Sequence, residues 1–151
     1  MPNPEDLERV RRGHIASLAT PTIDGPDGRR VFHLVAYDFL RKGDPAPDTV
    51  NPNLWRHAVL NAHHGLFEVC DGIWQVRGYD ISNITFVRGE RGWIVIDPLT
   101  SEHTARISLQ LINQHIKELP VTAMITQRPA STSARDVTPS TPPKWSACEW
   151  V

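Results

Sequence analysis

Between Leu66 and Asp97 the chain adopts a hydrophobic period of two, broken by two glycine-bearing turns into four short runs. Leu66 to Cys70 and Ile73 to Arg77 flank Asp71-Gly72. An Asp-Gly pair between such runs is the strongest short-range hairpin signal, and it predicts a type I′ turn with positive φ at both central residues. Asn83 to Arg88 and Trp93 to Ile96 flank Gly89-Glu90-Arg91-Gly92 and predict a second hairpin. The period then lengthens. Ser101 can cap a helix over 101–117 whose apolar positions Ala105, Leu109, Ile112 and Ile116 recur at helical spacing. Pro120 ends it, and Val121 to Thr126 has the β-branched content of a buried strand. Strands at 66–70, 73–77, 83–88, 93–97 and 121–126 with that one helix define a mixed α/β (α+β) chain. Its last two strands form a strand, helix, strand unit.

The flanks differ from this centre. Asn3 can cap a helix running from Pro4 to about Ser17, with Glu5, Asp6 and Glu8 near its positive end. Turns follow at Asp24-Gly25 and Asp27-Gly28, then a short extended run from Val31 to Val35 and a proline-rich loop from Lys42 to Pro52. Residues 1–52 thus read as an N-terminal extension or arm, and 53–127 as the folded unit. That unit opens with a helix over Leu54 to His64, ended by Gly65 as a left-handed cap. From Arg128 to Val151 the prolines 129, 139, 142 and 143 lie among serines and threonines, a composition that predicts a disordered tail holding Trp145 and Trp150. Trp55, Trp74 and Trp93 are expected in the core.

Lys and Arg number 16 against 17 Asp and Glu, so nothing marks a nucleic-acid partner or a polybasic membrane surface. No run approaches the roughly 20 apolar residues of a membrane span, and the polar N-terminus lacks a signal-peptide pattern. A soluble chain of unassigned compartment is expected. Cys70 and Cys148 share no CxxC spacing, which leaves Cys70 as an expected small buried hydrophobe.

Four runs carry a resemblance. They are Val50-Asn51-Pro52-Asn53-Leu54-Trp55-Arg56, His64-Gly65-Leu66-Phe67-Glu68-Val69, Gln75-Val76-Arg77-Gly78-Tyr79-Asp80-Ile81-Ser82-Asn83-Ile84, and Gly92-Trp93-Ile94-Val95-Ile96-Asp97-Pro98-Leu99-Thr100-Ser101-Glu102. Together they resemble the alkyl sulfatases of the metallo-β-lactamase superfamily. Weaker similarity reaches back to Gly13-His14-Ile15-Ala16-Ser17-Leu18-Ala19 and Tyr37-Asp38-Phe39-Leu40, and leaves the tail uncovered. The resemblance implies an αββα sandwich, of which this chain encodes the first half only. It also implies zinc-dependent hydrolysis of long-chain alkyl sulfate esters in the intact family. There the strand equivalent to 121–126 runs into a His-x-His-x-Asp-His motif that supplies the first zinc ligands. Here Thr126 is followed by Gln127-Arg128-Pro129, and no histidine follows His115.

A binuclear hydrolytic site needs imidazoles and carboxylates converging on two metals. The best alternative set is His57, His63 and His64, but 57 and 64 are two turns apart, too far for the i, i+4 chelation of a helical zinc pair. No catalytic residue, metal ligand or cofactor is therefore expected in this chain. By resemblance Asp97 is a positioning residue that braces the metal-binding loop through hydrogen bonds. Tyr79 and Asn83 fall in a loop that in the superfamily borders the active-site mouth, where they could contact substrate; packing for Tyr79 and turn geometry for Asn83 are the plain alternatives. A chain truncated before the zinc motif, inactive alone, is the leading expectation. The alternative is a non-catalytic interaction module that self-associates or pairs with a full-length relative through unpaired strand edges. An unrelated small enzyme built on His57, His63 or His103 lacks a visible nucleophile, base and orienter set.

Overall fold

A computed structural model describes residues 2–19 and 22–126. The helix α1 (Pro4–Arg11) begins as the sequence requires: the Asn3 side chain accepts from the Asp6 amide while the Asp6 carboxylate accepts from the Asn3 amide. It stops at Arg11, short of Ser17, because the next residues leave helical geometry to form strand β1 (His14–Ala16). A small hairpin, β2 (Thr22–Asp24) and β3 (Arg30–His33), leads into a 3-10 helix (Leu34–Arg41). The expected extended run from Val31 to Val35 is β3 as far as His33 and then gives way to the 3-10 helix, and β2, which ends at the expected Asp24-Gly25 turn, is a strand that sequence reasoning did not place. The helix α2 (Pro52–Asn61) carries Asn51 as its cap and ends at Ala62, so Gly65 is not its cap. Gly65 instead opens the next strand, beside β1.

The main sheet then follows: β4 (Gly65–Cys70), β5 (Ile73–Arg77), β6 (Ile84–Arg88) and β7 (Trp93–Ile96) as an antiparallel meander. Helix α3 (Glu102–His115) crosses over to β8 (Val121–Ile125), which pairs parallel with β7. The sheet order is β1-β4-β5-β6-β7-β8, so the segment 1–52 supplies an edge strand of the same sheet instead of a free arm. Membership in the sheet has a local cause. The β4 edge facing away from β5 carries unpaired N–H and C=O groups, and β1 satisfies them, with the Glu68 amide also donating to Gly13 O at 2.7 Å. The Asp71-Gly72 turn is not type I′: only Gly72 has positive φ (79°), and the register shifts between Glu68 and Cys70. That bulge turns the strand end outward, which leaves Cys70 exposed where a buried thiol was expected.

Register sorts the side chains into two faces. On one, Leu66, Val76 and Ile84 align, as do Trp74, Phe86 and Val95, all buried. Helix α3 covers this face with Leu111 and Ile112, and Ile23 and Leu34 from the N-terminal segment join the same core. Each such aliphatic or Phe side chain contributes about 1.5–3 kcal/mol on burial. Trp93 packs edge-on against Trp74 and Phe86 and donates from Nε1 to Asn113 Oδ1 at 2.8 Å, pinning α3 to the sheet. On the other face the rows Phe67, Gln75, Thr85, Ile96, Ile125 and Ile73, Val87, Ile94, Ala123 run across the sheet. Phe67 is buried under Arg77 and His14, but towards β8 the row opens, and Ile125 is 56% exposed. Trp55, with Leu40 and Val59, forms a second small core around α2. No helix among the described residues is long and apolar enough to cross a membrane. The predicted disordered tail, with Trp145 and Trp150, lies outside the described residues.

Candidate functional site

One end of the sheet gathers the loops that carry chemistry. There β5 finishes, β6 starts, and the parallel pair β7 and β8 ends together, so residues 78–83 and 97–101 lie side by side. Positions just beyond the carboxyl ends of parallel strands are where α/β sheets place ligands. Asp97 sits there, half-buried, with φ 54°, and two residues later Leu99 has φ 70°. Left-handed geometry is tolerable for an aspartate and costly for a leucine, about 1–3 kcal/mol, so the surrounding structure must enforce it. Part of that enforcement is visible: the Asp97 amide donates to Ile125 O at 2.9 Å, fixing the turn to the end of β8.

Asp80 holds the neighbouring loop. Its carboxylate accepts from the Thr100 hydroxyl at 2.6 Å, the Thr100 amide at 3.0 Å, the Thr104 hydroxyl at 2.8 Å and the Ile81 amide at 2.7 Å. Burial alone would raise its pKa, but these donors outweigh burial and hold the carboxyl below its usual value. Thr104 stands on the first turn of α3, which Ser101 caps by accepting from the Thr104 amide. Asp80 thus ties the loop between the hairpins to the segment after Asp97 and to the helix start.

The residues singled out by resemblance separate here. Asp97 stands at the strand end. Tyr79 does not line a mouth: it is 1% exposed, its hydroxyl accepts from the Leu18 amide at 2.8 Å, and burial raises its pKa. It clamps the N-terminal segment to the sheet, which is the packing alternative. Asn83 is exposed at the start of β6. Of the histidines, His57 is exposed on α2, whereas His63 and His64 are half-buried in the turn before β4. Burial first, then the positive charge of Arg41, lowers the pKa of His64; burial, Arg11 and Arg41 do the same to His63. Among the described residues no group of three or more His, Cys, Asp or Glu side chains could hold a metal ion. Asp80 is committed to four donors, and the donor set present does not fit a zinc centre. Asp80 as the brace escaped notice because its partners, Thr100 and Thr104, lie 20 and 24 positions away. Only the Ser101 cap motif pointed to the helix end they share.

An antiparallel meander running into a strand, helix, strand crossover, with its loops collected at one sheet end, defines a metallo-β-lactamase type of α/β layer. The family model for the metallo-beta-lactamase superfamily matches residues 77–126. Over most of its length the chain is similar to alkyl sulfatases. It is 47% identical over 120 residues to the alkyl/aryl-sulfatase BDS1 of Saccharomyces cerevisiae, 80% of this chain. It is 46% identical over 119 residues to a linear primary-alkylsulfatase of a Pseudomonas species. The solved structure of a stereoselective inverting sec-alkylsulfatase from Pseudomonas superposes with a TM-score of 0.74 at 43% identity, covering 81% of this chain and 19% of that one. The chain spans 18% of the length of the curated relatives it matches.

Proposed function

We propose that this chain is the opening scaffold of an alkyl sulfatase fold that, as a separate polypeptide, neither binds zinc stoichiometrically nor hydrolyses alkyl sulfates. The observation that carries this is ligand supply. The parallel strand β8 ends at Ile125 beside Asp97, and the chain continues as Thr126-Gln127-Arg128, with no histidine after His115. Neither a glutamine nor an arginine replaces an imidazole as a zinc ligand. In this proposal Asp97 keeps the geometry of a loop brace, and Asn83 lines the rim beside it. Zinc, where the family's full ligand set holds it, supplies a lowered water pKa for ester hydrolysis. Purified chain is supplied with zinc, freed of excess metal and measured for bound zinc and for sulfate release from dodecyl sulfate. The expected result is no stoichiometric zinc and no release above a chelated control. One tightly held zinc per chain with chelator-sensitive release would overturn it.

A second reading is favoured by the open face of β7 and β8. Ile94, Ile96, Ala123 and Ile125 form an apolar surface next to an edge strand, the kind of surface that seeks a partner layer. On that reading the chain pairs with a second copy or with a full-length relative. Co-expression with a full-length alkyl sulfatase and co-purification distinguishes it, since a scaffold with no pairing role is not retained.

A further inference from the structure

At the end of the sheet opposite the strand-end loops, the turn between β4 and β5 carries one of three Asp-Gly pairs in the chain, the others being Asp24-Gly25 and Asp27-Gly28. Each pair holds an electrophile beside a nucleophile. Bonding of the aspartate Cγ to the next main-chain nitrogen closes a five-membered ring, and a following glycine has no Cβ to obstruct the closure. In a folded chain the ring closes only where that carboxyl and that nitrogen are free to meet.

The fold restrains two of the pairs. The Gly25 amide donates to Arg29 O at 2.8 Å, and Asp24 is paired with Arg30 across the β2–β3 hairpin, its carboxylate 3.6 Å from Arg30 Nε. The Gly28 amide donates to Gly25 O at 3.0 Å, and Asp27 Oδ1 accepts from the Arg29 amide at 3.0 Å. Asp71-Gly72 differs in each respect. The Asp71 side chain is 97% exposed, and its contact is to Arg88 at 3.5 Å, a surface pair too weak to fix a rotamer. Among the described residues no hydrogen bond holds the Gly72 N–H. No atom lies within 4 Å of the position that a Cβ on Gly72 would take, so the turn has open space around the reacting atoms.

We propose that Asp71 is a site of spontaneous isoaspartate formation in the folded chain, and so a substrate for enzymes that methylate isoaspartyl carboxylates. The Gly72 nitrogen bonds to Cγ of the protonated Asp71 carboxyl. The Cγ–OH bond breaks, and the hydroxyl leaves with the amide proton as water. The resulting succinimide takes water back at either carbonyl. Addition at Cγ restores aspartate; addition at the main-chain carbonyl breaks its bond to the Gly72 nitrogen, leaving the chain linked through Cγ with a free carboxylate on Cα. The main chain is then one methylene longer at the turn. Because the Arg88 amide donates to Gly72 O at 2.8 Å, that extra length falls where the turn is tied to β6. The reaction involves no metal and stands apart from the scaffold reading, whose failure would leave it untouched.

The test is to incubate the full chain for several weeks at neutral pH and physiological temperature, folded in buffer and unfolded in guanidinium chloride. Isoaspartate is then located by enzymatic carboxyl methylation with a labelled methyl donor and by electron-transfer fragmentation of the peptides. In the folded chain Asp71 is expected to isomerise at least about tenfold faster than Asp24 or Asp27, because those two must first open their hydrogen bonds; in the unfolded chain the three rates should fall within about threefold of one another. Asp71→Glu, an exposed change that lengthens the ring to six atoms, should abolish labelling of the turn. Asp71→Asn should accelerate it, since the same closure then expels ammonia. Equal rates at the three pairs in the folded chain, no isoaspartate at Asp71, or the same preference for Asp71 in guanidinium chloride would overturn the proposal.

Discussion

Asp80 and His64 show how two side chains in one molecule respond oppositely to their surroundings. Four donors converge on Asp80, and its pKa falls below 3.8 despite burial. A carboxyl with a depressed folded pKa stabilises the fold above its unfolded value, and that stability is lost as pH falls through the folded one. Thr104→Val removes one donor and should cost about 1–3 kcal/mol in urea unfolding at neutral pH. It should also shrink the loss of stability on acidification below the ordinary carboxyl value, because the folded pKa returns toward 3.8. An unchanged acid limb would show that Thr104 does not set the Asp80 titration. His63 and His64 give a separate window. Their folded pKa values lie below 6.5, chiefly through burial, so the neutral form is favoured and stability falls as pH drops below 6.5 through the folded values. The melting temperature should decline across that interval in the wild type. In a His63→Asn, His64→Asn double variant the decline should be shallower; a parallel slope would assign the effect to other groups.

At the scale of elements, the sheet is assembled by two kinds of pairing with different requirements. The meander β4 to β7 needs only alternation and short turns, whereas β1 must approach β4 closely across a stretch with no turn to guide it. Gly65 makes that approach possible: its φ is 136°, and a Cβ there would lie 2.4 Å from Ala16 O. Gly65→Ala should therefore destabilise by about 2 kcal/mol or more, combining backbone strain with a steric clash. Hydrogen exchange should show the loss first at the β1 and β4 contacts around His14 and Phe67, with the β5 to β6 ladder retaining protection. Uniform loss across both would mean that β1 is integral to a single cooperative unit. Helix α3 belongs to the other kind. Its Ser101 cap, its buried Ala105 and Ile112, and Pro120 beyond its end are all written locally, and its observed span differs from the sequence expectation by only one residue at the start and two at the end.

For the whole molecule, the decisive feature is asymmetry between the sheet faces. One is closed by α3 and the N-terminal segment, and the other is open at β7 and β8. Layered folds bury both faces of such a sheet, and the relatives whose 18% this chain matches have length to spare for a second layer. If the open face drives pairing, sedimentation should detect concentration-dependent self-association of the purified chain. Ile125→Lys should suppress it with little effect on folding, since Ile125 is 56% exposed. Equal association in the variant would place the contact elsewhere, for instance on the exposed apolar residues around Tyr37 and Phe39.

The amino-acid sequence by itself determined the four meander strands, α3 and β8, because each is specified by neighbours: alternation around Asp71-Gly72, the Ser101 cap, the helical spacing to Ile112. It also placed Trp55, Trp74 and Trp93 in cores and put Asp97 at the strand end. Only the tertiary structure decided the rest. β1 is three residues long and carries no periodicity, so its place beside β4 follows from an otherwise unpaired edge. Tyr79 moved from a supposed mouth to the interior because Leu18, 61 positions away, brings the amide its hydroxyl accepts. The turn at Asp71-Gly72 took another type, with positive φ at Gly72 alone, next to a register shift in β4 that the local sequence does not signal. Arg41 and His64, 23 positions apart, share a contact that no spacing rule encodes. Local signals fix the elements, and chain-distant pairing of polar groups left over by those elements fixes the site.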